Sequence, residues 1–242
     1  MLATASLRAA GSPVIVSAGP VAFSLAESLF AKDALDEDLR MAVGSFPSSC
    51  AWGKVPSGHP FYAKLVELGA SAADLDWLAA NAEPPDIAGY NHYPDLVDWP
   101  PAADFTRDGA LPLEQAAREA TDKVAQAIRR VQAWLGLPVS LSETSAGISI
   151  AARAAYAAAL GDMAARLRAG GVPFVGLCWW PLSLAAQWDY REQPNRPLTD
   201  FLKPGGWNNP LYDIDVRPDG DLVRVETDAA LAYRRVVGSG PG

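Results

Sequence analysis

Glu143, Asn91-His92-Tyr93 and Trp179-Trp180 stand where three short apolar runs of the chain stop. Together they offer a carboxylate, several hydrogen-bond donors and a stacking surface. Pro138-Val139-Ser140-Leu141-Ser142 leads to Glu143, Asp86-Ile87-Ala88-Gly89-Tyr90 to the Asn-His-Tyr triplet, and Phe174-Val175-Gly176-Leu177-Cys178 to the tryptophan pair. A carboxylate becomes a catalyst when it is set against a reacting bond and its proton affinity is fixed by burial and neighbours. An amide, an imidazole and a phenol at one strand end supply donors for a sugar hydroxyl or for an ionised carboxylate. Successive strand side chains face opposite sides, so Trp179 and Trp180 cannot both point inward. One of them is expected to line a cleft, where an indole face stacks on the C–H surface of a pyranose. Each group also has a plainer reading. Glu143 could cap the helix that begins at Ser149 or meet solvent, His92 could be a hydrogen-bonded structural histidine, and a strand tryptophan could be core.

Other chemistries lack support. His59 and His92 are the only histidines, and no Cys or His spacing suits zinc, so no metal site is expected. No cofactor is expected either, because Gly170-Gly171 follows a helix instead of opening one, as a phosphate loop or dinucleotide fingerprint requires. The serines around Glu143 do not form a nucleophile elbow. Cys50 and Cys178 make no disulfide framework, and Cys178, inside an apolar run, is expected as a small buried hydrophobe. A formal net charge of −8 disfavours a nucleic-acid partner, with Arg129-Arg130 and Arg234-Arg235 read as solvated helix faces. No apolar stretch is long enough to cross a bilayer, and Met1 to Ala10 lack a secretory core, so the expectation is a soluble, cytoplasmic protein.

The elements that position these groups alternate. Pro13 to Ala18 is a short β-rich run stopped by Gly19-Pro20, and helices are expected over 36–43, 60–68 and 71–82, the last capped by Ser71. Ser45 to Pro60 and Pro94 to Pro112 read as loops. A long helix over Leu113 to Leu135 carries a stripe of Ala117, Ala120, Val124, Ala127, Ile128, Val131, Trp134 and Leu135, and Gly136 ends it. A second, Ala-rich helix covers Ser149 to Ala169. The alternation of strands near Val14, Ile87, Val139 and Phe174 with helices implies right-handed crossovers and a parallel sheet in one domain, 1–242. In such folds, strand ends on one face carry the binding site. After Trp180 come a loop to Asn209, a hairpin turning at Arg217-Pro218-Asp219-Gly220, and a helix from Asp228 to Val237 capped by Thr227. A complete (β/α)8 barrel takes about 250 residues, yet eight βα units are not found, and half a barrel fits better.

In order and spacing, the three strand ends resemble the C-terminal half of clan A glycoside hydrolases, most closely family 1 β-glycosidases. Asp86 to Tyr93 is similar to that family's Asp-Phe-Ile-Gly-x-Asn-Tyr-Tyr strand, with His92 in place of its first tyrosine. Pro138 to Gly147 resembles Pro-x-x-Ile-Thr-Glu-Asn-Gly, with Thr144 where Asn is usual, and Gly171 to Trp180 resembles Gly-Val-x-Val-x-Gly-Tyr-Phe-x-Trp-Ser. The resemblance covers residues 85 to 190. It implies a TIM barrel of the (β/α)8 type, of which strands five to eight are evident. It further implies that Glu143 is the nucleophile of a retaining β-glucosidase-type enzyme, that Tyr93 hydrogen-bonds it, and that Asn91, His92, Trp180 and Trp188 contact a glycoside or oligosaccharide.

A retaining enzyme needs a second carboxyl group about 5 Å from the nucleophile, which protonates the leaving oxygen and later activates water. In the family it belongs to an Asn-Glu-Pro motif on the fourth strand, which is not found here. Asn81-Ala82-Glu83-Pro84 is a look-alike at the wrong end of its strand, and Glu27, Asp95, Asp189 and Glu192 have no motif support. Three readings follow: a glycosidase represented by its C-terminal half, a non-catalytic carbohydrate-binding or assembly protein, and a half-barrel that self-associates or pairs with a missing half to cover its open edges.

Overall fold

The computed structural model describes residues 6, 9–11, 15–18, 39, 42–43, 49, 58–94, 111–193, 195–204 and 208–238. The expectations for Val14, for Cys50, for most of the 36–43 helix and for nearly all of the 45–60 and 94–112 loops lie outside these. The chain packs as two compact units, residues 1–90 and 91–242.

In the first unit, strand β1 (Ile15–Ala18) lies parallel to β2 (Ile87–Asn91), paired from Ile15 opposite Ile87 to Ala18 opposite Tyr90. Helices α1 (Tyr62–Glu67) and α2 (Ala72–Ala80) stand between them in sequence. Ser71 caps α2 as expected, its Oγ accepting the Asp74 N–H at 3.3 Å and satisfying a donor the first turn leaves orphaned. Parallel neighbours need such a crossover, which is why β1 and β2 are far apart in the chain.

The second unit is built on helix α3 (Leu113–Leu135), strand β3 (Val139–Thr144), helix α4 (Ile150–Ala169) and strand β4 (Phe174–Trp179). The buried face of α3 is the expected stripe with Ala116, Thr121 and Ala125 added, while Ala127 and Trp134 sit half-buried at its margin. Gly136 ends the helix at φ 69°, a left-handed conformation that costs glycine least. Ser149 caps α4 by accepting the Ala152 N–H at 3.1 Å. Helix α4 packs against α3 and against the last helix, α5 (Asp228–Gly238). The α4–α5 approach depends on Gly161, where a Cβ would meet Val236 Cγ2 at 2.7 Å.

The stretch expected as a long loop contains two 3-10 turns, Trp188–Glu192 and Leu198–Phe201. Asn208 gathers it, accepting the Ala185 N–H at 3.1 Å and donating to the Ala185 and Lys203 carbonyls at 2.6 and 2.9 Å. The hairpin forms where expected, from β5 (Tyr212–Val216) and antiparallel β6 (Leu222–Glu226). Arg153 of α4, only 2% exposed, anchors it by donating to the Pro210 carbonyl at 2.7 Å and to Asp213 at 2.9 Å. Thr227 caps α5 through the Ala230 N–H and donates to the Leu211 carbonyl.

Strand β4 pairs parallel with β3, and among the described residues β3 is its only strand partner. Among the described residues, β1 pairs in parallel with β2 and β3 with β4, four strands where a (β/α)8 barrel closes with eight. This corrects the expectation for Cys178, which is exposed. An apolar run reads as buried on both faces when other layers cover both faces of its sheet, and Cys178 lies on a face of β4 that the described residues leave open. Among the described residues, no helix is long and apolar enough to cross a membrane.

Candidate functional site

Glu143 is the penultimate residue of β3 and lies half-buried. The β3–β4 register explains how it is aimed. Leu141 faces Leu177 and Thr144 faces Trp179, so β3 advances three residues while β4 advances two. The extra residue is a β-bulge, a device that re-aims a side chain at a strand end, and Glu143 falls within it. The backbone here is held on both sides: His92 N–H donates to the Glu143 carbonyl at 2.9 Å, and Trp180 N–H donates to the Thr144 carbonyl at 3.0 Å.

The Glu143 side chain has a specific partner. Tyr93 Oη donates to Glu143 Oε2 at 2.7 Å, a well-formed O–H···O hydrogen bond. Burial raises the Tyr93 phenol well above its ordinary range, and the hydrogen bond and charge of Glu143 raise it further, so Tyr93 remains a donor. Burial also raises the Cys178 thiol, followed by the charge of Glu143. That places Cys178 within the field of the carboxylate and leaves it a thiol, a poor nucleophile. Helix α4 is capped by Ser149 itself, so the helix-capping alternative for Glu143 is already filled.

The structure brings Asn91, His92, Tyr93, Glu143 and Trp180 to the same ends of adjoining chain segments. Asn91 Oδ1 accepts a hydrogen bond from Ser142 Oγ at 2.7 Å, which fixes the amide plane. His92 is buried. The two tryptophans separate as alternation demands. Trp179 is 4% exposed, packed edge-on against Tyr156 and Tyr233, with its Nε1 donating to the Asn209 carbonyl at 2.8 Å. Trp180 is 46% exposed and free to present its face. Trp188 opens the first 3-10 turn, but its side chain and that of Asp189 lie outside the described residues, as do Glu27 and Asp95.

Of the remaining carboxylates, Glu83 precedes β2 and so stands at the opposite end of that strand from Asn91, and Glu192 is exposed on the 3-10 turn. Among the described residues, no cluster of His, Cys, Asp and Glu could hold a metal. Sequence reasoning missed the support beneath the site: Ser142 on Asn91, the buried Thr144 hydroxyl 2.9 Å from Tyr156 Oη, and Asn209 under Trp179. The usable signals were the hydroxyl residues flanking Glu143 and the Asn208-Asn209 pair in an otherwise featureless loop.

No protein-family model and no curated protein matches the chain. Solved structures do. A family 1 β-glucosidase from Thermotoga maritima superposes with a TM-score of 0.54 over 98% of this chain and 53% of its own, at 14% identity. A β-glucosidase from Thermotoga maritima in complex with galacto-hydroximolactam gives 0.51 over 93% and 49%, at 15% identity. The fold is about half of a family 1 glycosidase barrel. The half-barrel spans about half the length of the structures it matches, and at these identities the likeness is one of fold.

Proposed function

We propose that this half-barrel carries the nucleophile side of a retaining, β-glucosidase-type site acting on O-glycosidic bonds. The observation that carries the reading is the Tyr93–Glu143 hydrogen bond at a bulged strand end, within a fold shared with family 1 β-glucosidases. Glu143 attacks the anomeric carbon, the glycosidic oxygen leaves with the bonding electrons, and water later cleaves the glycosyl ester. Tyr93 holds the carboxylate in one orientation. Asn91 offers its amide to sugar hydroxyls, His92 backs the Asn91–Tyr93 segment, and Trp180 and Trp188 offer stacking faces. The carboxyl group that would protonate the leaving oxygen is not identified among the described residues.

A second reading, a non-catalytic carbohydrate-binding protein, is favoured by the exposed indole of Trp180, which can serve recognition without a second carboxyl group. A dinitrophenyl β-glucoside separates the two, because its leaving group needs no acid. The catalytic reading expects a burst of about one dinitrophenolate per chain followed by slow turnover. No burst, or an equal burst from Glu143→Gln, leaves the binding reading.

A further inference from the structure

A bulge frees the side chain inside it from the alternation of its strand. Between the pairs Leu141–Leu177 and Thr144–Trp179, β3 has Ser142 and Glu143 where β4 has Cys178 alone, so the pleat does not by itself decide which face Glu143 takes. A slip of one residue would turn it to the opposite face, away from Tyr93. Tyr156 of α4 touches both members of the pair that closes the bulge. Its Oη lies 2.9 Å from Thr144 Oγ1, and its ring packs edge-on against Trp179 with the centroids 5.9 Å apart. Tyr156 and Thr144 are both fully buried, so the Thr144 hydroxyl meets no solvent, and losing this bond would be costly.

The connection from β3 to α4 keeps Tyr156 in that place. Gly147 takes φ 91°, and a Cβ on it would meet Ala152 Cβ at 2.7 Å, so the chain doubles back tightly onto the first turn of α4. Ser149 fixes where the helix starts, and Tyr156 then falls on its buried side with Ala152, Arg153 and Leu160. With Thr144 held from the helix side, Glu143 is left to the other face, where Tyr93 receives it. We propose that Tyr156 is a positioning residue for Glu143: its hydroxyl and ring lock the Thr144–Trp179 pair and, with it, the face that the carboxylate takes. Tyr156 itself contacts no sugar. The kinetic side of this inference rests on Glu143 being the nucleophile, and its structural side on the bulge alone.

The dinitrophenolate burst of Tyr156→Phe tests it, together with alkylation of Cys178 by iodoacetamide across pH, read on its peptide by mass. Tyr156→Phe keeps a ring on Trp179 and strands the buried Thr144 hydroxyl. The burst should slow by about 3- to 10-fold, the worth of one hydrogen bond, at an unchanged half-saturating glucoside concentration, because no sugar contact is lost. The Cys178 profile, set by burial and then by the charge of Glu143, should move once the carboxylate no longer keeps one position. Adding Thr144→Val to Tyr156→Phe removes the stranded hydroxyl and should return the melting midpoint toward wild type while the burst stays slow. A merely structural role would restore both. A wild-type burst rate in Tyr156→Phe, a burst restored along with the melt, or a half-saturation that shifts in step with the rate overturns the positioning. If the wild type gives no burst, the nucleophile reading fails. The alkylation profile then decides the positioning, a displaced profile in Tyr156→Phe upholding it and an unmoved one overturning it.

Discussion

The ends of β3 and β4 are neighbours with opposite characters. β3 is clamped by backbone hydrogen bonds on both sides, from His92 and from Trp180, and its carboxylate is held by a third group, Tyr93. β4 has β3 as its strand partner among the described residues, and it sends Trp179 into the core while Trp180, just beyond it, is exposed. A catalytic carboxylate benefits from the first arrangement, since a preorganised group loses no orientation when it reacts. A sugar platform tolerates the second, because stacking on an indole face needs area more than angular accuracy. On the proposed reading, reaction falls to β3 and recognition to the end of β4.

The largest expected effect removes the reacting group. Glu143→Gln should slow release from a dinitrophenyl glycoside by roughly a thousandfold or more while leaving the melting curve close to wild type. A substantial loss of stability would mean that Glu143 serves the fold. The tryptophan pair comes next. Trp179→Ala removes a buried ring packed on Tyr156 and Tyr233 and should cost about 3–5 kcal/mol in urea unfolding. Trp180→Ala should stay within about 0.5 kcal/mol yet weaken glycoside binding measured by calorimetry. Equal stability losses for the two would erase the distinction between core and platform.

Tyr93→Phe deletes one charge-assisted hydrogen bond, an interaction of about 1.5–3 kcal/mol, so glycosylation should slow by about 10- to 100-fold in single-turnover measurements. A smaller effect concerns alkaline pH. The folded-state affinity of Tyr93 for its proton is raised above the ordinary phenol value of 10.0, mainly by burial. Above about pH 10, therefore, the unfolded chain binds fewer protons than the folded one and stability declines as pH rises. Urea midpoints between pH 9 and 11 should fall, and fall less steeply in Tyr93→Phe. Equal slopes would show that the phenol is not buried against Glu143.

Local signals carried much of this structure in the sequence. The bounds of α3 follow from its apolar period and from Gly136, and the hairpin follows from Pro218-Asp219-Gly220 between two strand-like runs. Glu143 and Tyr93 could be named because each ends a run of the right length. What was hidden depends on neighbours. Cys178 reads as buried because an apolar strand is normally covered on both faces, and nothing local reports that the described residues leave its face open. Which tryptophan turns inward depends on the bulge at Glu143 and on Tyr156, Tyr233 and Asn209, all distant in the chain. The anchoring of the hairpin by Arg153 is equally silent, since an arginine in an Ala-rich helix resembles a solvated one until Asp213 and the Pro210 carbonyl reach it.

The central claim is that Glu143 is poised to form a bond to a sugar. Incubation with a 2-deoxy-2-fluoro glucoside bearing a dinitrophenyl leaving group, followed by intact mass and peptide mapping, tests it most directly. The leaving group needs no acid; the fluorine slows both formation and hydrolysis of the glycosyl ester, and the dinitrophenolate departure restores formation, so the ester accumulates. The account predicts one added fluoroglucosyl group per chain, on the peptide that contains Glu143, and none on Glu143→Gln. An unmodified mass after prolonged incubation, or a label on any other residue, would contradict it.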